Sequence, residues 1–296
     1  MTRWLRVLPL LLLLAVSSAC GKKQDPILAL SAEESLTMGK DWLAKEKYYR
    51  ARQLFNHAFE VAPNTALGRE ALLYAADTYF KQGGEANLIQ AEAKYRDFLN
   101  RFPTSDRAAY VQLQIANALA QRIKKPDRDQ SAAEQALVAY QEVLRLYPTS
   151  DAAAGARDEV AKVRDQLAEH EFGIGQFYFK YGLSLSAVNR FLGLLEDYPD
   201  YSHKDKVYYF LGRAYYDGKA LAEADKYFSR LRQEFPDSEY VKDIPKIDPV
   251  ALASAIAAAE AREAEKQEGA GADGDATKLG AETSDDEPPG GGEESP

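Results

Sequence analysis

The sequence predicts an all-α fold: a right-handed superhelical solenoid of about five helix hairpins, followed by a disordered acidic C-terminal tail. Three observations carry that reading. Aromatic-Pro or similar breaks recur at Pro63, Pro103, Pro148, Pro199 and Pro236, each closing an amphipathic stretch. Before each break stand a small residue, an aromatic and an apolar residue, as Ala51/Phe55/Ala58, Ala91/Tyr95/Phe98, Ala136/Tyr140/Val143, Ala187/Phe191/Leu194 and Ala224/Phe228/Leu231. Spacings of four and three keep each triplet on one helix face. Further upstream sits another small residue, Gly39, Gly175 or Gly212, followed by an aromatic at Trp42, Tyr178 or Tyr215. The second and third units carry the same parts at Ala76/Tyr79 and Ala116/Leu119. The expectation is a hairpin whose two small residues face each other, with aromatics beside that contact and Pro ending the second helix. One hairpin cannot bury its apolar face alone, whereas a stack of them can.

Taken in order, residues 1–19 read as a signal peptide. Arg3 and Arg6 precede an apolar run from Val7 to Val16, broken only by Pro9, and Ser17-Ser18-Ala19 follow. The run is shorter than the roughly 20 apolar residues of a membrane-spanning helix. The small residues lead directly to Cys20, the only cysteine. This arrangement resembles a bacterial lipoprotein processing site, with Ser17 where that pattern prefers Leu. The resemblance implies lipidation of Cys20, a lipidated linker over residues 20–30, and anchoring without a spanning helix. Gly21 follows in place of the Asp that holds such proteins in the inner membrane, which favours the outer membrane.

The solenoid is expected over residues 31–245, with hairpins over 32–64, 69–104, 109–149, 168–201 and 205–238. Residues 82–87 lengthen the second turn, and IKKPDRDQS at 123–131 lengthens the third into an exposed loop. The insertion 151–167, with Ala154, Val160, Val163 and Leu167, is expected to extend the next helix into one long helix reaching about Tyr181. An Ala-rich helix is expected over 246–267. Residues 268–296 are Gly, Pro and acid, and read as a disordered tail.

Charge follows the same division. The net charge is −9, from 46 Asp+Glu against 37 Lys+Arg. Residues 251–296 hold 12 acidic and 3 basic residues, which leaves the first 250 balanced at 34 of each sign. The acidic overall balance argues against a nucleic-acid partner, because phosphate binding needs a basic face. One Cys and three His argue against a disulfide framework and a Cys-rich zinc site.

The repeat length and its G…Y…A…F…P marks resemble tetratricopeptide repeats (TPR). Residues 110–150 and 164–200 resemble more narrowly the TPR lipoproteins of the outer-membrane β-barrel assembly machinery, the BamD/ComL family. The shared marks are Asp127-Arg128-Asp129, the helix with Leu167, Ala168 and Glu171, the Phe177-Tyr178 end, Ala187 to Arg190 as A-x-N-R, and the Tyr-Pro ends. The resemblance covers about residues 31–240 and the lipoprotein signal. The long acidic tail has no counterpart in it. It implies a noncatalytic scaffold without cofactors, lipid-anchored to the periplasmic face of the outer membrane. Its implied partners are the POTRA domains of the β-barrel insertase and peptides of unfolded outer-membrane proteins.

A TPR groove is lined mainly by the first helix of each hairpin and suits an extended or helical peptide. Helical counting in the first two repeats gives Glu33, Leu36, Lys40, Leu43, Glu70, Leu73, Asp77 and Phe80 as groove candidates. Lys40 is the only cation among them, and so the candidate for a peptide carboxylate. Arg190 precedes the packing Phe191 and should project from the helix edge. By resemblance it belongs to the half that contacts the insertase, where its fork suits an acidic partner. The plainer alternative is a surface pair with Glu196 or Asp197.

Catalytic signals are poor. Gly173-Ile174-Gly175 lies within an expected helix with no preceding strand, against a phosphate loop. His170-Glu171 lacks the second His of a zinc-protease helix. His57 has no evident partner, and His203 sits in an inter-repeat loop. Competing readings are another TPR lipoprotein adaptor, such as a secretin pilot or a cell-division coordinator, and a peptidoglycan-binding protein.

Overall fold

The computed structural model describes residues 26–279; Cys20, the signal peptide, linker residues 20–25 and tail residues 280–296 lie outside the described residues. Among the described residues the regular structure is helical, with no strand. Two compact units are present, one through Leu167 and the other from Ala168.

The first unit contains three hairpins: α1 (Ala32–Ala44) with α2 (Tyr48–Val61), α3 (Ala66–Gln82) with α4 (Glu85–Arg101), and α5 (Ala108–Ala120) with α6 (Ser131–Leu146). The long helix α7 (Asp151–Lys180) follows, and its residues from Ala168 belong to the second unit. That unit adds α8 (Ser184–Asp197), α9 (Lys204–Asp217), α10 (Leu221–Glu234) and α11 (Pro249–Leu279).

Local chemistry sets the helix ends. Ser31 and Glu34 form a capping box at α1: the Glu34 N–H donates to Ser31 Oγ at 3.2 Å, and the Ser31 N–H to Glu34 Oε2 at 2.8 Å. The five second helices all stop at the residue before Pro. Ala62, Phe102, Tyr147, Tyr198 and Phe235 share φ between −137° and −127°. A following proline disfavours the helical region for them. Each of their carbonyls then accepts an N–H three residues on, at 3.1–3.2 Å, in a turn with Pro at its second position. One proline per repeat therefore ends one helix and aims the next.

Inside the first, fourth and fifth hairpins an aromatic ring presses on the small first-helix residue. The first-helix glycine receives the second-helix aromatic ring. A Cβ added at Gly39, Gly175 or Gly212 would meet Cε1 of Phe55, Phe191 or Phe228 at 2.5, 2.5 or 2.6 Å. These three rings are fully buried, and each contributes about 1.5–3 kcal/mol of transfer free energy. Ala76 and Ala116 take the glycine's place in the second and third hairpins, and there the aromatics are the buried Tyr95 and Tyr140. Their hydroxyls donate to the residue after the alanine: Tyr95 to Asp77 Oδ1 at 2.6 Å, and Tyr140 to Asn117 Oδ1 at 2.8 Å.

Other sequence expectations are refined. The extra residues at 82–87 lengthen α3 and α4 to 17 residues each and leave only Gly83-Gly84 as the turn. Both glycines have positive φ, of 68° and 79°, which a Cβ would resist. The third turn is an open loop, tied down by Gln130 Nε2 donating to the carbonyls of Lys125 and Arg128 at 2.9 and 2.8 Å. His57 has a partner after all: its Nε2 lies 3.1 Å from the Leu30 carbonyl. The Ala-rich helix starts three residues later than expected, with Pro249 at its first position and Asp248 Oδ2 accepting the Ala251 N–H at 3.2 Å. It continues past residue 267 to Leu279. No described helix is long and apolar enough to cross a membrane.

Candidate functional site

In the first unit, α3 and the turn before α5 enclose an open cleft of roughly 350 Å3. Arg69, Glu70, Leu73 and Asp77 project into it from α3, as helical spacing dictates. Tyr74 and Phe98 supply apolar wall, and Ser105, Asp106 and Arg107 close one side.

Two exposed guanidiniums stand at this cleft. That of Arg69 lies 5.8 Å from the Phe102 ring centroid, and that of Arg107 lies 4.9 Å from the Tyr110 centroid. Neither forms an ion pair with a carboxylate among the described residues. An aromatic ring holds a guanidinium in place while leaving its forked N–H groups for an anion.

Asp77 plays a different part from the one counting assigns it. It is buried, and its Oδ1 accepts the hydroxyls of Tyr95 at 2.6 Å and Tyr110 at 3.2 Å. Burial pushes its carboxyl above the usual carboxylate range, against the opposing pull of both phenols, Lys81 and Arg107. Burial and the Asp77 charge push both phenols far above the usual tyrosine range. Asp77 therefore forms the floor of the cleft and fixes α3, α4 and α5 to one another.

The remaining candidates separate into three groups. Glu70 lines the cleft, and its Oε1 accepts from Lys40 Nζ at 2.7 Å, with Lys40 also 5.1 Å from the Tyr74 centroid. This hydrogen bond holds the Lys40 ammonium above its ordinary range. Lys40 thus links α1 to the rim, already paired with another candidate. Leu73 is buried yet lines the cleft, whereas Leu36 is core and Leu43 packs half-buried against that core. Glu33 is exposed on α1, and half-buried Phe80 packs edge-on to Tyr95 with centroids 6.4 Å apart. Helical counting overlooked Arg69, Arg107 and Phe98. A basic residue beside Glu70 and another just before a helix were visible signals, but only the fold brings them together.

In the second unit Arg190 projects from α8 and is exposed. Its Nη1 lies 3.1 Å from Glu171 Oε2 on α7, so its carboxylate is on the preceding helix and not at Glu196 or Asp197. Glu169, two residues before Glu171, accepts from Lys206 Nζ at 2.6 Å and from the Tyr201 hydroxyl. Burial raises the Glu169 carboxyl most strongly, but the Lys206 and Tyr201 hydrogen bonds and nearby cations together hold it below the usual range.

A family model described as outer membrane lipoprotein (YfiO) matches residues 29–217, and a tetratricopeptide repeat model matches residues 207–238. The chain is 27% identical over 232 residues to the outer membrane protein assembly factor BamD of Caulobacter vibrioides, covering 77% of this chain and 75% of that protein. It is also 27% identical over 237 residues to BamD of Rickettsia prowazekii, covering 78% and 91%. The match to BamD of Neisseria meningitidis is 26% identical over 219 residues, covering 71% and 82%. Among solved structures, the TPR2AB-domain:pHSP90 complex of yeast Sti1 aligns at 15% identity and a TM-score of 0.40, covering 79% of this chain and 86% of that one.

Proposed function

Because this chain belongs to the outer membrane lipoprotein family of non-enzymatic outer-membrane protein assembly factors, we propose that it is the lipid-anchored TPR scaffold of the β-barrel assembly machinery on the periplasmic face of the outer membrane. In this reading Cys20 carries the acyl anchor. The first unit receives targeting peptides of unfolded outer-membrane proteins, and the second docks the POTRA domains of the insertase.

The cleft at α3 carries the peptide half of the proposal. It combines an apolar wall with two cations at its mouth, which suits a peptide bearing an aromatic residue and a free carboxylate. Arg69 and Arg107 take the role that counting gave to Lys40. Lys40 is committed to Glu70 and shapes the rim. Arg190 is the proposed insertase contact, exchanging Glu171 for an acidic residue of the partner.

Two measurements test this. A synthetic peptide ending in an aromatic residue is titrated against the full mature chain, with its C-terminus free or amidated. Amidation, or Arg107→Ala, is expected to weaken binding by about tenfold or more, the scale of a charge-assisted hydrogen bond. Equal binding of both peptides removes the carboxylate from the account. Affinity capture from detergent-solubilised envelope, with and without residues 268–296, should recover a POTRA-bearing insertase, and Arg190→Glu should reduce that recovery. Capture of a secretin instead would identify a pilot protein.

A further inference from the structure

Four large apolar side chains stand in water at one hairpin tip of the second unit. Phe177, Tyr181, Leu183 and Leu185 are 56%, 65%, 50% and 75% exposed. The tip is a tight, preformed turn between α7 and α8. The Gly182 N–H donates to the Phe179 carbonyl and the Leu183 N–H to the Tyr178 carbonyl, both at 3.0 Å. Gly182 sits at φ 72°, the left-handed conformation that closes a helix. The Phe177 and Tyr181 rings touch, with centroids 4.7 Å apart, one helical turn from each other. Two exposed lysines accompany this ridge. Lys180 ends α7, and Lys219 lies in the α9–α10 turn. The two turns are neighbours, since a Cβ added at Gly218 would meet Ser184 Cβ at 3.7 Å. The carboxylate of this second turn, Asp217, is 3.9 Å from Arg213.

The other hairpins show that the fold does not require such a tip. The first turns on Lys45-Glu46-Lys47, the second on Gly83-Gly84, the third through the charged loop 121–130, and the fifth on Gly218-Lys219-Ala220. The repeat tolerates charge or glycine here, so the apolar residues at 181–185 need a reason outside folding. Scattered exposed apolar residues are ordinary. Four within nine positions on a protruding turn are not.

We propose that this tip docks on an anionic phospholipid surface. Leu183 and Leu185 enter the boundary between headgroups and acyl chains, Phe177 and Tyr181 lie at headgroup depth, and Lys180 and Lys219 meet the phosphates. Aromatic and aliphatic side chains flanked by lysines have the composition of an interfacial membrane contact. The proposal rests on the outer-membrane association of the family, which puts a bilayer within reach, and is independent of the peptide cleft.

The test uses the full mature chain with Cys20→Ser, so that no acyl chain contributes to binding. The protein is floated with vesicles of mixed phosphatidylethanolamine and phosphatidylglycerol. It should float with them, less so at high salt. Leu183→Asp with Leu185→Asp should lower the bound fraction about tenfold or more, because a carboxylate at that depth is costly. Lys180→Glu with Lys219→Glu should weaken binding while leaving the apolar ridge intact. Thermal melts by circular dichroism check that the variants fold. Absence of flotation by the unsubstituted chain overturns the proposal, as does flotation undiminished by the aspartates. A concentration-dependent dimer lost in the aspartate variant would instead assign the ridge to a second copy. Loss of a captured envelope protein from that variant, without vesicle binding by the parent, would assign it to a protein partner. Capture of the insertase by the unsubstituted chain stands or falls separately, so the two readings fail distinguishably.

Discussion

Two glycines of α7, Gly173 and Gly175, separate the helix backbone from the packing it serves. A methyl added at Gly175 would lie 2.5, 2.8 and 3.0 Å from Cε1, Cδ1 and Cζ of Phe191, whose ring is fully buried. A methyl added at Gly173 would meet nothing within 4 Å. Gly→Ala in a helix interior gains about 1 kcal/mol of propensity at either position. Forcing a methyl into a filled core costs about 1–3 kcal/mol. The propensity gain cancels between the two variants, so their difference reports the overpacking alone. Gly173→Ala is expected to stabilise the chain by up to about 1 kcal/mol. Gly175→Ala should be less stable than Gly173→Ala by about 1–3 kcal/mol. Urea unfolding followed by far-ultraviolet circular dichroism reads both. A difference below about 0.5 kcal/mol, or of opposite sign, would show that the Phe191 ring moves freely and that the glycine–aromatic contact does not set this hairpin.

Two pH predictions follow from the buried Asp77 carboxyl and the partly exposed Glu169 carboxyl. Asp77 has a raised folded pKa, so its contribution is fully present below its ordinary value of 3.8 and is lost as pH rises through the elevated value. Asp77→Asn should remove that loss, and a parent-to-variant difference in urea midpoint that stays constant from pH 3 upward would contradict it. Glu169 is the opposite case: its lowered folded pKa gives a contribution present above 4.5 and lost as pH falls through the folded value. Glu169→Gln should cost about 1 kcal/mol at neutral pH, discounted for partial exposure, with the gap closing in acid; a gap that persists in acid would assign the cost to packing.

The repeat was legible because it is written five times. Small, aromatic and apolar residues at fixed helical spacings, each set closed by Pro, give helix number, order and turns without long-range information. The closeness of the aromatic ring to each glycine was not legible from spacing alone, since it depends on how two helices cross. A finer sequence signal for Asp77 does exist. Hairpins with Gly39, Gly175 and Gly212 use phenylalanine, whereas those with Ala76 and Ala116 use tyrosine and place Asp77 or Asn117 next to the alanine. A buried hydroxyl demands an acceptor, and that pairing marks Asp77 as structural. Only part of the cleft was legible for a related reason. Glu70 and Leu73 follow from helical counting on α3, but Phe98, Ser105, Asp106 and Arg107 reach it from α4 and the following turn. Lys40 reaches the same rim through its ion pair with Glu70, which spans two repeats and has no local signature.

Depletion of the protein in its native cell tests the central claim most directly, with β-barrel proteins of the outer membrane quantified by mass spectrometry against lipoproteins and periplasmic proteins. A scaffold of β-barrel assembly predicts a selective fall of the barrels, restored by the intact chain. Barrel levels unchanged under full depletion would contradict it.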